Sequence, residues 1–304
     1  MHEQINPPKR LIGIAAGIIK QMSHVPDGLG HLVDHITFGS FTLEPCDGNK
    51  EPVYFFDSVF RTSYNAVGLK NMGLREFIRN ELIGRRSEFL KLKAQGCHVR
   101  ISLAPRRSGD LTKMVLIIIK YWEMISDIVD EIEVNGACPN HRDESGCLHA
   151  VLAKDPVALE TLMAEGSDLP GSKSIKIAPN TEEACLAQCV NLAHRYVFRR
   201  IVSGNTQLTD TPNHDGRLCL TSPTCGKAGA PLLDDAVEQV KVLKGIIAKT
   251  LVDDLKIVVI GCGGIMGGAD ARRHLDAGAD VVQVATYFME YGYVGVRDLV
   301  ASLM

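Results

Sequence analysis

Cys138 stands in Glu133-Val134-Asn135-Gly136-Ala137-Cys138-Pro139-Asn140, the stretch whose residue types are best suited to chemistry. Pro139 fixes its own φ and drives the preceding residue out of helical geometry, so Cys138 is expected to be extended at the end of a strand. Asn135 and Asn140 flank it. A thiol can move a proton, and two amides can hold a polar ligand without adding charge. A cysteine in such a place is also often an inert, buried small hydrophobe. Residue types alone leave both readings open.

Two further features carry chemistry. Lys176 lies inside the apolar run Ser174-Ile175-Lys176-Ile177-Ala178-Pro179-Asn180, where strand alternation turns it to the face opposite Ile175 and Ile177. A buried ammonium needs an anionic partner. Glu131 and Glu133 on the preceding strand could supply it, or the electron-rich end of a redox cofactor could. The third feature is Gly261-Cys262-Gly263-Gly264, which leads through Ile265 and Met266 to Gly267-Gly268 and a helix. Backbone N–H groups at such a helix start suit a phosphate. Met266 occupies the third glycine position of a dinucleotide fingerprint, so that reading is set aside. A tight turn explains the glycines equally well.

The elements that must place these residues follow one theme. Eight β-branched runs, at 11–17, 35–42, 99–105, 128–137, 174–180, 199–206, 256–264 and 281–288, mostly end in Gly, Asn, Pro or Ser. Between them lie helical patterns at 74–94, 111–126, 156–165, 182–195, 233–251 and 269–277, with apolar residues three and four apart. Strand–helix alternation at this count predicts an α/β chain folded as one (β/α)₈ TIM barrel over 1–304, with an open doubly wound sheet as the structural alternative. Chemistry then belongs at the carboxyl ends of the strands, and the seventh and eighth ends are the usual phosphate site. The chain has 304 residues, 45% of them hydrophobic, and a net charge of −3, which gives no electrostatic reason for a nucleic-acid partner. No apolar run approaches the roughly 18 residues of a membrane span, and the first ten residues lack a signal-peptide core. Nine cysteines show no paired spacing for zinc or iron–sulfur ligation, so no metal is expected and the reduced thiols suggest a cytoplasmic protein.

In order along almost the whole chain, these residues resemble the dihydroorotate dehydrogenase family. Ile14-Ala15-Ala16-Gly17 is similar to its first-strand flavin contact, and Gly39-Ser40-Phe41-Thr42 with Gly48-Asn49 to its Gly-Thr-Val-Thr … Gly-Asn segment. Asn65-Ala66-Val67-Gly68-Leu69-Lys70-Asn71 resembles its Asn-x-x-Gly-Leu-Pro-Asn substrate loop. Asn135 with Cys138-Pro139-Asn140 resembles Asn-x-Ser-Cys-Pro-Asn, Lys176-Ile177-Ala178-Pro179 its Lys-Leu-x-Pro strand, and Asn205-Thr206 its Asn-Thr. Gly226 to Leu232, Gly263-Gly264-Ile265 and Gln283-Val284-Ala285-Thr286 follow its remaining motifs.

The resemblance implies an FMN enzyme that oxidises dihydroorotate to orotate in pyrimidine biosynthesis. Cys138 would take the C5 proton while a hydride leaves C6 for flavin N5. Asn65, Gly68, Leu69, Asn135, Asn140, Asn205 and Thr206 would bind the small pyrimidine substrate. FMN would be held by Ala16, Gly17, Gly39, Ser40, Asn135, Lys176, Gly204 and Gly229, with its phosphate on Gly263, Gly264, Ala285 and Thr286. Lys176 would face N1 and O2 of the ring, where negative charge collects on reduction. Membrane-associated, quinone-using members are similar but carry Ser at the position of Cys138 and add an amino-terminal helix pair. The first strand here begins about ten residues from Met1, so the chain resembles a soluble member. A homodimer is expected, with fumarate or a separate electron-transfer subunit as the acceptor.

Several positions depart from the family pattern. The family's Lys near the second-strand motif is missing: Gly39 and Ser40 occupy the motif, His31 stands upstream, and Lys70 replaces the Pro of the substrate loop. Gly136-Ala137 replaces the usual pair before Cys138, and Ala285 replaces a Gly. The lost Lys bears on the substrate more than on the flavin. A flavin barrel acting on another pyrimidine-like compound, or one binding flavin without turnover, are the alternatives.

Overall fold

Alternation along the barrel strands sends one set of side chains outward against helices and the other into the barrel. The computed structural model describes residues 10–107, 109–137, 155–214, 216–250 and 256–304. Eight parallel strands close the barrel: β1 (Ile12–Ile14), β2 (His35–Phe41), β5 (His98–Leu103), β6 (Glu131–Asn135), β7 (Ser172–Ile177), β8 (Arg200–Ser203), β13 (Val258–Cys262) and β14 (Val281–Val284). Each falls in or overlaps one of the eight runs read from the sequence. β1 pairs with both β14 and β2, which completes the cylinder and excludes the open sheet.

The strands connect through α1 (Leu29–Leu32), α2 (Leu74–Glu76), α3 (Arg86–Ala94), α4 (Asp110–Ile125), α5 (Pro156–Glu165), α6 (Glu183–Arg195), α7 (Leu233–Thr250) and α8 (Gly268–Asp276), and α9 (Thr286–Ala301) follows the last strand. Among the described residues, no helix is long and apolar enough to cross a membrane. The single helix expected at 74–94 is divided: after α2 a π-helical stretch, Phe77–Ile83, precedes α3. There the Gly84 N–H reaches back five residues to the Arg79 carbonyl at 3.0 Å, which widens the turn. The run expected at 281–288 splits too, because the chain turns helical at Thr286.

The outer core is apolar. Ile36, Phe38, Ile101, Ile132, Val134, Ile175 and Ile201 are fully buried against the helices. Phe38 packs on Phe77 and Phe89, and the Phe41 ring stacks on Phe77 with centroids 4.0 Å apart. Burying each such ring is worth about 1.5–3 kcal/mol. The barrel interior differs, since His35, Thr37, Arg100, Ser102, Glu131, Glu133, Ser174, Lys176 and Gln283 are all buried there.

A second sheet, absent from the sequence reading, lies over the carboxyl ends of the strands. It is antiparallel, in the order β3 (Tyr54–Asp57), β4 (Thr62–Asn65), β12 (Thr224–Gly229), β9 (Gln207–Asp210); a small pair, β10 (Asn213–His214) and β11 (Arg217–Leu218), extends nearby. Ser63 Oγ lies 2.8 Å from Thr286 Oγ1, and the Tyr54 hydroxyl donates to Glu290 Oε1 at 2.6 Å, so this sheet is tied to the start of α9. The arrangement roofs the barrel mouth and leaves cavities beneath it.

Candidate active site

Two adjoining cavities open at the carboxyl ends of the strands, the end where barrel chemistry sits. The wider one, about 820 Å³, is bounded by Ala16, Gly17, Ile18, Lys20, Ser40, Asn65, Gly68, Leu69, Asn135, Lys176, Asn205 and Met289, with Tyr54 and Ser63 from the roof. The narrower, about 500 Å³, runs to Gly229, Cys262, Gly263, Gly264, Ile265, Ala285 and Thr286. Ala16, Lys176, Asn205, Thr206, Ala228, Ala285 and Thr286 line both, so the two form one bent site.

Lys176 is the central charge. It is 3% exposed, and among the described residues its ammonium makes no hydrogen bond or ion pair. The carboxylates that could have neutralised it are engaged elsewhere. Glu131 pairs with Arg100 at 3.4 Å and with Arg200, while Glu133 accepts from Ser102 Oγ at 2.9 Å. A buried ammonium without a protein partner is expensive unless an anionic or electron-rich group joins it in the cavity. That orphaned charge fits the pyrimidine end of a flavin.

The narrow arm suits a phosphate. Gly263 and Gly264 have φ of +127° and +78°, and a Cβ on Gly264 would lie 2.2 Å from the Leu233 Cα, so the turn admits only glycine there. His274 holds this turn: its Nε2 lies 2.9 Å from the Gly263 carbonyl, and burial keeps its pKa below the ordinary value. The ring has room because Gly261 lacks a Cβ, which would sit 2.6 Å from His274 Nδ1. The helix start expected at Gly267-Gly268 does not line the cavity. Asp270 Oδ2 already accepts the Met266 N–H at 2.9 Å there. The helix that opens onto the arm is α9, whose first residue, Thr286, lines it.

At the wide arm the amides are held in fixed directions. Asn205 Nδ2 donates to the Ala137 carbonyl at 2.8 Å, and its Oδ1 accepts the Thr206 N–H at 2.8 Å. Asn65 Nδ2 donates to the Gly226 carbonyl at 3.3 Å. β6 and β7 set Asn135 opposite Lys176 in register. Of the residues expected in the site, Gly39 and Gly204 do not line the cavities; a Cβ on them would meet the Ser102 carbonyl at 2.7 Å and the Cys262 carbonyl at 1.9 Å, so both serve close packing of strands. Cys138 and Asn140 lie outside the described residues.

Lys20 was missed by the sequence reading, which looked for a cation near the second strand. His31 and Lys70 are exposed and line neither cavity, whereas Lys20, three residues beyond Gly17 on the first strand's exit, lines the wide arm. Its ammonium donates to the Gly39 carbonyl at 2.8 Å. The second-strand motif therefore receives its lysine from β1, and the available signal was a lysine just past a strand end that already carried Ala16-Gly17. Cys262 faces the site as well, but burial pushes its thiol up, and it packs with Ala15, Val202 and Ile260 as a small hydrophobe.

Comparison with known proteins settles the family. The family model for dihydroorotate dehydrogenase matches residues 5–304. The chain belongs to the dihydroorotate dehydrogenase family. It is an oxidoreductase of the kind that acts on CH–CH donors, and enzymes of this family bind FMN, which the orphaned Lys176 and the glycine turn accommodate. Among its relatives, a dihydroorotate dehydrogenase (quinone) of Dechloromonas aromatica is 27% identical over 310 residues, covering 96% of this chain and 80% of the relative. The corresponding quinone enzyme of Clavibacter sepedonicus is 25% identical over 293 residues, with 96% and 80% covered. An Eimeria tenella dihydroorotate dehydrogenase crystallised with ferulenol has the same fold, with a TM-score of 0.74 at 18% identity over 96% of this chain and 80% of that one.

Proposed function

We propose that this family member oxidises dihydroorotate to orotate, with Cys138 as the base. The observation that carries the reading is the buried Lys176 ammonium, without a protein partner among the described residues, at the junction of an amide-lined arm and a glycine-lined arm. Bound FMN would supply the acceptor for the hydride that leaves substrate C6. Gly263, Gly264, Ala285 and Thr286 would hold its phosphate through backbone N–H groups, and Lys176 would balance the negative charge gathered at the pyrimidine end on reduction. Asn65, Asn135 and Asn205, joined by Asn140, would hold the substrate amide and carboxylate edges flat against the ring. Lys20 brings a second cation to that arm and supports an anionic substrate.

The candidate base is the residue after Ala137, whose carbonyl accepts from the cavity-lining Asn205. As a thiolate it would take the C5 proton and become the thiol. A free cysteine with a pKa near 8.5 does this with modest help from its surroundings. The thiol favours a soluble member using fumarate or a partner subunit, and a homodimer goes with that reading; the relatives above are quinone enzymes.

Acid release of the cofactor followed by chromatography should give one FMN per chain. Dihydroorotate added without oxygen should then bleach the flavin, and readmission of fumarate, a short-chain quinone or NAD should show which restores the colour. A protein that carries FMN but is not bleached would overturn dihydroorotate as the substrate and favour another pyrimidine-like compound.

A further inference from the structure

Glu133 lies in the barrel wall directly below the site, fully buried, and the chemistry above gives it no part. Its Oε1 accepts from Ser102 Oγ at 2.9 Å, and its Oε2 has no partner among the described residues. Strand register builds this contact, since β5 and β6 set Ser102 opposite Glu133. Ser102 Oγ lies 2.8 Å from Ser40 Oγ, and Ser40 Oγ accepts from Asn135 Nδ2 at 3.0 Å.

These contacts can run in one direction only. A serine hydroxyl has a single proton, and Ser102 commits its proton to Glu133. Ser102 is therefore the acceptor toward Ser40, which must donate. Ser40 has then no proton for Asn135 and accepts from it. At the far end, Asn135 Oδ1 accepts the Ala137 N–H at 3.1 Å and lies 3.4 Å from Asn205 Nδ2. Turning the Asn135 amide over would set its NH₂ against two donors and leave the Ala137 N–H without an acceptor, a costly arrangement.

We propose that Glu133 is a positioning residue: a buried acceptor whose hydrogen-bond chain through Ser102 and Ser40 fixes the Asn135 amide with its nitrogen toward Ser40, so that its remaining proton is offered to an oxygen of the bound ligands. This rests on the reading of the cavity as an FMN and pyrimidine site. The chain crosses three strands, so the ligand-facing amide of β6 is set by a carboxylate two residues back on the same strand, by way of β5 and β2. Such a path requires an acceptor at position 133 and does not require a charge there.

The test uses two titrations, FMN into the apoprotein followed by fluorescence quenching, and orotate into the FMN-loaded protein followed by the flavin absorbance shift. Ser102→Ala and Glu133→Leu should each weaken FMN binding about five- to tenfold, the worth of one hydrogen bond to a buried ligand, and orotate binding similarly. Glu133→Gln should stay within about twofold of wild type, because its amide oxygen replaces the accepting atom and its nitrogen replaces the Oε2 that has no partner. Adding Glu133→Leu to Ser102→Ala should cause no further loss, since the chain is already cut. If Glu133→Leu does not fold, Ser102→Ala against Glu133→Gln decides. Wild-type affinity in Ser102→Ala, additive losses in the double variant, or a Gln variant as weak as the cut chain would each overturn the proposal, as would a lowered melting temperature with both affinities unchanged. Wild type that binds FMN but not orotate would remove the dihydroorotate reading instead, and the FMN titrations would still decide the role of Glu133.

Discussion

The two sides of the barrel interior are built from different materials. Toward β8, β13, β14 and β1 it is lined mainly by Ala15, Val202, Ile260 and Cys262, with Gln283 a buried polar exception that faces His35, and the strands end in Gly204, Gly263-Gly264, Ala285 and Ala16-Gly17. Toward β2, β5, β6 and β7 it holds His35, Thr37, Arg100, Ser102, Glu131, Glu133 and Lys176, and the amide of Asn135 stands at the rim. A phosphate can be held by backbone N–H groups, which every residue has, so the first side needs only small residues that let the backbone approach. A heterocycle that changes charge and loses a proton must be met by side chains of particular type and direction. The second side supplies those and, Lys176 apart, keeps them in place by mutual hydrogen bonds and ion pairs. One side should therefore respond to changes of shape, the other to changes of charge and proton affinity.

The largest expected break is in the proton chemistry. Cys138→Ser keeps the size but raises the intrinsic pKa of the base, so anaerobic bleaching by dihydroorotate should slow by about 10²–10⁴-fold near neutral pH, with the deficit shrinking toward pH 10. FMN content should not change, because the phosphate contacts proposed at Gly263, Gly264, Ala285 and Thr286 do not involve Cys138. Equal rates at every pH in stopped-flow would remove Cys138 from the chemistry.

Lys176→Ala removes the charge where the two sides meet. Loss of about 2–4 kcal/mol of stabilisation of the reduced cofactor corresponds to a two-electron midpoint potential lower by about 40–90 mV. Spectroelectrochemical titration reads this directly, and an unchanged potential would mean that Lys176 does not act on the flavin.

Acid should act on the polar side, lower in the barrel. His35 is wholly buried, with Nδ1 2.8 Å from Asp34 Oδ2 and Nε2 2.8 Å from Gln283 Nε2. Burial first, and the nearby Arg100 second, push its pKa down from 6.5 to about 4. The unfolded chain therefore binds a proton that the folded chain refuses between those values. Stability from this group is complete above about pH 6.5 and is lost as the pH falls toward about 4, by roughly 3 kcal/mol at 1.36 kcal/mol per pH unit. Chemical denaturation at a series of pH values measures the slope, and His35→Gln should flatten it.

The glycine side gives the smallest effect and the contrasting kind. Gly264→Ala places a methyl on the Leu233 backbone at a φ of +78°, so stability should fall by about 2 kcal/mol and FMN should be lost on dialysis. The midpoint potential of whatever FMN is retained should match wild type. A shifted potential would mean that the two sides are not independent.

Much of this was written locally in the chain. Strand runs such as 35–42 and 199–206 show β-branched residues and polar ends, and every barrel strand arose within or against one of them. Lys176 stood out because a lysine between two isoleucines breaks the pattern of its own strand. The roof strands gave no such signal: Tyr54–Asp57 and Thr62–Asn65 are four residues each, and Thr224–Gly229 reads as a loop because it holds two glycines. Two local pairs, β3 with β4 and β9 with β12, become one sheet only because β4 and β12 meet across more than 150 positions of sequence, as in Gly226 with Asn65.

What the sequence by itself determined is therefore the set of elements and the identity of strand-end residues, because strand alternation and the conformational freedom of glycine act within a few residues. It also determined the family, through motifs kept in order. What only the tertiary structure decided is which groups meet. Lys20 supplies the cation sought on the second strand because closure of the barrel brings the exit of β1 beside β2. Lys176 is left without a partner among the described residues because Arg100 and Arg200 take Glu131 and Ser102 takes Glu133. The direction of the Asn135 amide depends on a proton count along three strands, and strand register, which no single segment encodes, sets that count.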